Sequence, residues 1–132
     1  MRIGILGPLE VRPDDAGGAP VEIGGARLRA LLTLLALDPG ALVPAERIID
    51  GLWEDDVPKG AANALQSLVS RLRSVIGRDV VESRPGAYRL ALPRAAVDAH
   101  DFEARTLAAR RAGDEASRSA GLRAALALWR GP

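Results

Sequence analysis

Hydrophobic positions recur along this chain with the period of helices in most places and the period of strands at five short ones. The longest regular stretch is Lys59 to Gly77, KGAANALQSLVSRLRSVIG, in which Leu65, Leu68, Val69, Leu72, Val75 and Ile76 follow the i, i+3, i+4, i+7 spacing of one helical face. That face is predicted to be buried. Before it, Ala26 to Leu37 predicts a first helix with Leu28, Leu31, Leu32 and Leu35 inward, stopped by Asp38-Pro39-Gly40. A second helix is expected from about Pro44 to Leu52, with Ile48, Ile49 and Leu52 inward, proline in its first turn and Trp53 closing the core. Ahead of these helices, Met1–Leu6 and Leu9–Val11 alternate around Gly7-Pro8 as a hairpin, and Val21–Ile23 reads as a third short strand. Arg12–Ala19 between them holds only turn formers and reads as a polar loop.

Behind the long helix, Asp79–Ser83 and Ala87–Leu92 read as two strands joined by a tight turn at Arg84-Pro85-Gly86. Tyr88, Leu90 and Leu92 are expected to share the face that closes the core, with Arg84 and Arg89 as exposed charges. Pro93–Val97 connects to an alanine-rich helical pair. Its first helix is expected from Asp98, as N-cap, to Ala112, with Phe102, Thr106 and Ala109 inward. Its second runs from Asp114 toward Arg130-Gly131-Pro132, with a stripe of Leu122, Ala125, Leu126 and Trp129. The order is therefore α+β: an amino-terminal antiparallel sheet, a winged helix-turn-helix ending in a β-hairpin wing, and a helical hairpin like one unit of a stacked repeat. The expected division is 1–93 and 94–132.

Composition narrows the chemistry more than the fold. At 132 residues and 48% hydrophobic content the chain can bury a real core. It has no cysteine, which excludes disulfides, thiolate metal sites and a cysteine nucleophile and suits a cytoplasmic setting. Its longest apolar run, Ala30–Leu37, is too short to span a bilayer, and no signal peptide or receiver domain is expected ahead of the first strand. His100 is the one histidine, and its neighbour Asp101 points elsewhere on a helix, so no acid–base dyad follows. No catalytic residue, metal site or cofactor is expected, and Gly24-Gly25 lacks the completions of a phosphate-binding loop.

Net charge is only +1, so attraction to a polyanion has to come from local clustering. Such clustering exists. Lys59, Arg71, Arg73 and Arg78 occur from 59 to 78 without an acid, directly after the acidic Glu54, Asp55 and Asp56. On the outward face of the long helix lie Asn63, Gln66, Ser67, Ser70 and Ser74, flanked by Arg71 and Arg73. Amides and hydroxyls at the centre with guanidiniums at the edges suit a major groove, where amides read base edges and arginines hold phosphates or guanine. A merely solvated face has the same polarity, and both readings stand at this point. Arg27 and Arg29 in the first turn of the first helix oppose its dipole and favour a neighbouring anion. Arg84 on the wing suits a phosphate backbone or a minor groove. A protein-docking module built on the winged helix and the helical pair is the alternative.

Several segments in order carry a resemblance to a known family: LGPLEV, RALLTLLAL, ERIIDGLW, AANALQSLVSRLRSVIG, SRPGAYRL, VDAHDFE and ALALWRGP. Together they resemble the amino-terminal part of the actinobacterial SARP-type regulators, in which an OmpR/PhoB-type winged helix precedes a bacterial transcriptional activator domain. The resemblance implies a transcriptional activator that binds direct repeats in double-stranded DNA, pairs as a dimer on them and works in the cytoplasm at the nucleoid. It carries Asn63, Gln66, Ser67, Ser70, Arg71 and Arg73 onto the DNA-facing helix and Arg84 onto the wing. As a DNA reader the chain is expected to contact phosphates through Arg27, Lys59, Arg73 and Arg84 and to read bases through Gln66, Ser67, Ser70 and Arg71. The resemblance also implies that Trp53, Glu54, Asp55 and Asp56, in the stretch that runs on to Pro58, face RNA polymerase. Two features depart from the pattern. Pro44 stands where relatives resemble a serine or threonine cap, and LWRGP closes the chain after one helical pair where the resemblance implies several, so a truncation or short form is expected.

Overall fold

The computed structural model describes residues 1–13 and 19–130. Asp14–Gly18 of the expected polar loop, and Gly131-Pro132 at the expected end of the last helix, lie outside the described residues. The elements in order are β1 Arg2–Gly4, β2 Glu10–Arg12, α1 Ala26–Ala36, β3 Val43–Pro44, α2 Ala45–Trp53, α3 Ala61–Ile76, β4 Val81–Arg84, β5 Ala87–Leu90, a 3-10 turn Arg94–Ala96, α4 Asp98–Arg110 and α5 Glu115–Leu126.

Strands β1 and β2 pair antiparallel with Ile3 opposite Val11, as the alternation predicts. The expected third strand at Val21–Ile23 is reduced to one bridge, the Val21 amide donating to the Val11 carbonyl at 2.7 Å. Three residues between polar loops have too little ladder to extend further, although Ile23 is still buried. A strand that the pattern missed, β3, lies beside β5 with Val43 opposite Tyr88, giving the order β3-β5-β4. Two residues show no period, and Pro44 marks a helix start more obviously than a strand. It occupies the cap position with extended backbone, so α2 begins one residue later than expected.

One core joins these elements. It contains Ile3 and Val11 of the opening sheet, Leu28, Leu31, Leu32 and Leu35 of α1, Ile48 and Trp53 of α2, Leu65, Leu68, Val69, Leu72 and Ile76 of α3, and Val81 and Leu90 of the wing. Val75, expected in the α3 stripe, is instead 38% exposed. It sits at the edge of the apolar arc, where the partners α1 and α2 no longer cover the helix. The wing turns at Pro85-Gly86, so Arg84 is the last strand residue rather than part of the turn. Proline presets the negative φ of the first turn position, and Gly86 supplies φ +71° at the second, as a type II turn requires.

The helical pair corrects three expectations. Asp98 is not an N-cap: Val97 precedes α4 with no side-chain cap, and the Asp98 carboxylate is buried. It accepts from the backbone amides of Ile5 at 2.7 Å and Leu6 at 3.2 Å, immediately after β1. Asp114 does cap α5, accepting from the Ser117 amide at 2.7 Å. That amide, and then the Ser117 hydroxyl, hold the Asp114 carboxyl below its usual range. Helix α5 ends at Leu126 rather than near Arg130. Of the expected stripe only Ala125 is buried, while Leu122, Leu126 and Trp129 are exposed together with Leu107. The helices run antiparallel and so close at Gly121 that a Cβ there would lie 2.8 Å from the Cβ of Ala109. Phe102 and Trp129 then meet edge to face at 5.7 Å.

Candidate nucleic-acid interface

Helix α3 owes its position to its own stripe. Leu65, Leu68, Val69 and Leu72 are seated in the core, which leaves Asn63, Gln66, Ser67, Ser70 and Ser74 on the outside, all exposed. Its first turn has neither an acid nor a side-chain cap, and the Ala61 amide donates instead to the Pro58 carbonyl at 3.2 Å. Lys59, expected within the helix, lies exposed in the turn just ahead of it. Ser74 spends its hydroxyl proton on the Ser70 carbonyl at 3.1 Å. Among the described residues, the side chains of Asn63, Gln66, Ser67 and Arg71 have no recorded hydrogen bond or ion pair, so their donors and acceptors are open to a ligand.

The arginines divide into free and committed groups. Arg71 extends toward the start of α1, 3.9 Å from where a Cβ on Gly25 would stand. Arg27 lies over the ring of Trp53, 5.4 Å from its centroid. Together with Ala64, Ser67 and Leu68 they line a cleft of about 850 Å³ between α1, the end of α2 and α3, with no carboxylate in its wall. Arg73, placed on the same outward face by the sequence, is half-buried. Its Nε donates to the Val81 carbonyl at 3.0 Å and its Nη2 to the Ser83 hydroxyl at 2.6 Å. It therefore braces the wing against the long helix.

Arg78 was missed as a site residue although it belongs to the same cluster of charge. It shares a small polar cleft with Ser70, Arg73 and Ser74. Gly77, with φ +114°, turns the chain so that Arg78 stands beside the helix it follows. That placement depends on a backbone conformation that no periodicity reports.

The wing is less free than its sequence suggests. Arg84 donates through Nη1 to the Ser83 carbonyl at 2.9 Å and through Nη2 to the Glu82 carboxylate at 3.2 Å. Arg89, expected to be exposed, is half-buried and pairs with the same Glu82 oxygen. The Arg89 hydrogen bond, with the charges of Arg89 and Arg84, holds the Glu82 carboxyl below its usual range. Glu54, Asp55 and Asp56 are all exposed after α2, and Glu54 adopts the left-handed φ of 50°. Trp53 is buried beneath Arg27, so the loop presents its three carboxylates and the exposed Val57 rather than the indole.

His100 has a structural setting. Its Nε2 lies 3.0 Å from the Ala36 carbonyl and its Nδ1 2.9 Å from Arg94 Nη2. A carbonyl only accepts and a guanidinium only donates, so the neutral ring with its proton on Nε2 satisfies both. Among the described residues no group of three or more His, Asp or Glu side chains could hold a metal ion, and no helix is long and apolar enough to cross a membrane.

Residues 20–89, from just before Val21 to β5, match the family described as transcriptional regulatory protein, C terminal. Over 138 residues the chain is 37% identical to the transcriptional regulatory protein EmbR of Mycobacterium tuberculosis, covering 98% of this chain and 35% of EmbR. It is 36% identical to the regulatory protein AfsR of Streptomyces coelicolor, covering 99% of this chain and 13% of AfsR. With the regulatory protein DnrI of Streptomyces peucetius the identity is 30%, over 99% of this chain and 52% of DnrI. The solved structure of Mycobacterium tuberculosis EmbR in complex with a low affinity phosphopeptide superposes with a TM-score of 0.89 at 35% identity, covering 99% of this chain and 36% of that one. The chain thus spans about a third of EmbR and less than two thirds of each of these relatives.

Proposed function

Because the chain belongs to the transcriptional regulatory protein C-terminal family, in its SARP-type branch, we propose that it is a sequence-specific DNA-binding transcriptional activator that acts in the cytoplasm at the nucleoid. One observation carries this reading. The outward face of α3 holds unpartnered amide, hydroxyl and guanidinium groups with no acid among them, on a helix whose opposite face is locked in the core.

In this reading residues 1–93 form the DNA-binding domain and 94–132 the first helical pair of an activator domain. Helix α3 enters the major groove, Gln66, Ser67, Ser70 and Arg71 read bases, and Asn63 lies on the same approach. Lys59 and Arg27 hold phosphates, while Arg73 holds the wing and Arg84 reaches the adjacent backbone. Glu54, Asp55 and Asp56 face RNA polymerase, and two copies bind adjacent direct repeats, where pairing raises the effective affinity.

The test is selection of bound sequences from a random double-stranded pool at low salt, followed by Arg71→Ala on the enriched site. Enrichment of a short repeated motif is expected. Arg71→Ala is expected to lose about 1–3 kcal/mol on that motif and much less on random DNA, with relaxed preference at one position. Equal losses on both would remove Arg71 from base reading. A second reading, a protein-docking module, draws on the exposed Leu107, Leu122, Leu126 and Trp129 of the helical pair. It predicts no retention of DNA even at low salt.

A further inference from the structure

The wing carries a carboxylate, Glu82, between its two arginines. Val81 and Ser83 of β4 share a face with Tyr88 and Leu90, and Val81 and Leu90 are fully buried there. The alternate residues Glu82 and Arg84, with Arg89 directly opposite Glu82, occupy the outer face. On it a single oxygen, Glu82 Oε2, accepts from both Arg84 Nη2 and Arg89 Nη2. Arg84 has a second nitrogen committed to the Ser83 carbonyl. The tip arginine that the sequence offers to a phosphate is therefore already held by an anion of this chain.

From this cluster we propose that Glu82 is an internal competitor of the DNA backbone: its carboxylate occupies the wing arginines in the free protein and must be displaced, or share them, when a phosphate arrives. The proposal rests on the DNA-binding reading and adds a residue that sets how strongly the wing contributes. Three groups with formal charges of one minus and two plus leave the outer wing with one net positive charge instead of two. A phosphate that approaches Arg84 also approaches the carboxylate 3.2 Å from it, and the two anions repel. Since non-specific binding is almost wholly electrostatic, this device chiefly limits attachment to sequences other than the operator. The alternative role, in which Glu82 orients the arginines for DNA, predicts the opposite sign when the carboxylate is removed.

The experiment titrates the whole chain and its Glu82→Gln variant against a labelled random-sequence duplex from about 50 to about 200 mM salt, where phosphate contacts dominate. Glutamine keeps the shape of the side chain and one acceptor, and a thermal melt verifies the fold of the variant. The expected result is several-fold tighter binding by Glu82→Gln at the lowest salt, with a dependence on log salt steeper by about one. Arg84→Ala is then expected to cost more in the Glu82→Gln background than in the parent chain. Weaker binding by Glu82→Gln, or unchanged affinity and slope while the parent binds, overturns the competitor role and leaves the DNA reading intact. Failure of both chains to bind overturns the DNA reading, and the competitor role with it.

Discussion

Asp98 shows how much one side chain can decide here. It opens α4, yet its carboxylate serves another part of the fold, accepting from Ile5 and Leu6 after β1. Only 5% of it is exposed, so water cannot replace the contact when it is lost. Asp98→Ala is expected to cost about 1–3 kcal/mol for the buried Leu6 donor alone, whereas Asp98→Asn, which keeps one acceptor oxygen, costs less. Urea midpoints of the two variants check this; equal losses would mean that charge, not the hydrogen bonds, matters at this position. Asp114, which is exposed, and Glu82, which is half-buried beside Arg84 and Arg89, behave differently because each keeps contact with solvent. Their folded-state pKa values are lowered, so each contributes stability that is complete above the ordinary carboxylate range and is lost as pH falls through the lowered value.

Among the elements, the contact between α4 and α5 is the one most sensitive to a single methyl group. Gly121 faces Ala109 so closely that a new Cβ would stand 2.8 Å away, and the obstacle is itself a short, rigid side chain. Replacing glycine by alanine inside a helix gains about 1 kcal/mol of propensity, while overpacking of this kind costs about 1–3 kcal/mol. The clash wins. Gly121→Ala is expected to lower the unfolding midpoint, and a rise would show that the two helices can separate at no cost. Helix α3 and the wing form the other linked pair of elements. Arg73 joins them through Val81 and Ser83, and this contact makes the hairpin a fixed extension of the long helix rather than a loose arm.

At the scale of the whole molecule, the two ends of the chain close on one another. Arg130 donates its backbone amide to the Leu6 carbonyl at 3.1 Å and its Nη1 to Glu10 at 2.9 Å, with Nη2 3.8 Å from Asp98. Its guanidinium covers Gly4 so tightly that a side chain there would collide with it. Arg2 reaches the other way, to Asp101 at 3.1 Å and the Ala95 carbonyl at 3.3 Å. Ile3 also bridges to Val97. The opening sheet is thus the platform on which the helical pair stands. Arg130→Ala removes a partly exposed ion pair worth about 1 kcal/mol, and the amides of Ile5 and Leu6 are expected to exchange with solvent about fivefold faster. Unchanged protection there would show that Asp98 alone holds the platform.

The succession of helices, the wing and the outward face of α3 were legible in the chain because each follows from a local rule. Periodicity selects the buried stripe of α3 and thereby its polar face, and Pro85-Gly86 forms the turn. Three features were not legible, each for a physical reason. Val43–Pro44 is a strand only because β5 lies beside it, and two residues have no period of their own. Asp98 resembles an N-cap by position, and only the packing of the first six residues against α4 turns it into a tertiary anchor. Arg73 and Arg84 carry the same charge as Arg71, yet the wing ties them to Ser83 and Glu82 while Arg71 stays unpaired among the described residues. By itself the sequence determined which residues fall on which face of each element, since a face is set by helical or strand period. Only the tertiary structure decided which polar groups on those faces are already satisfied, because a hydrogen-bond partner distant in sequence exists only once the elements have packed.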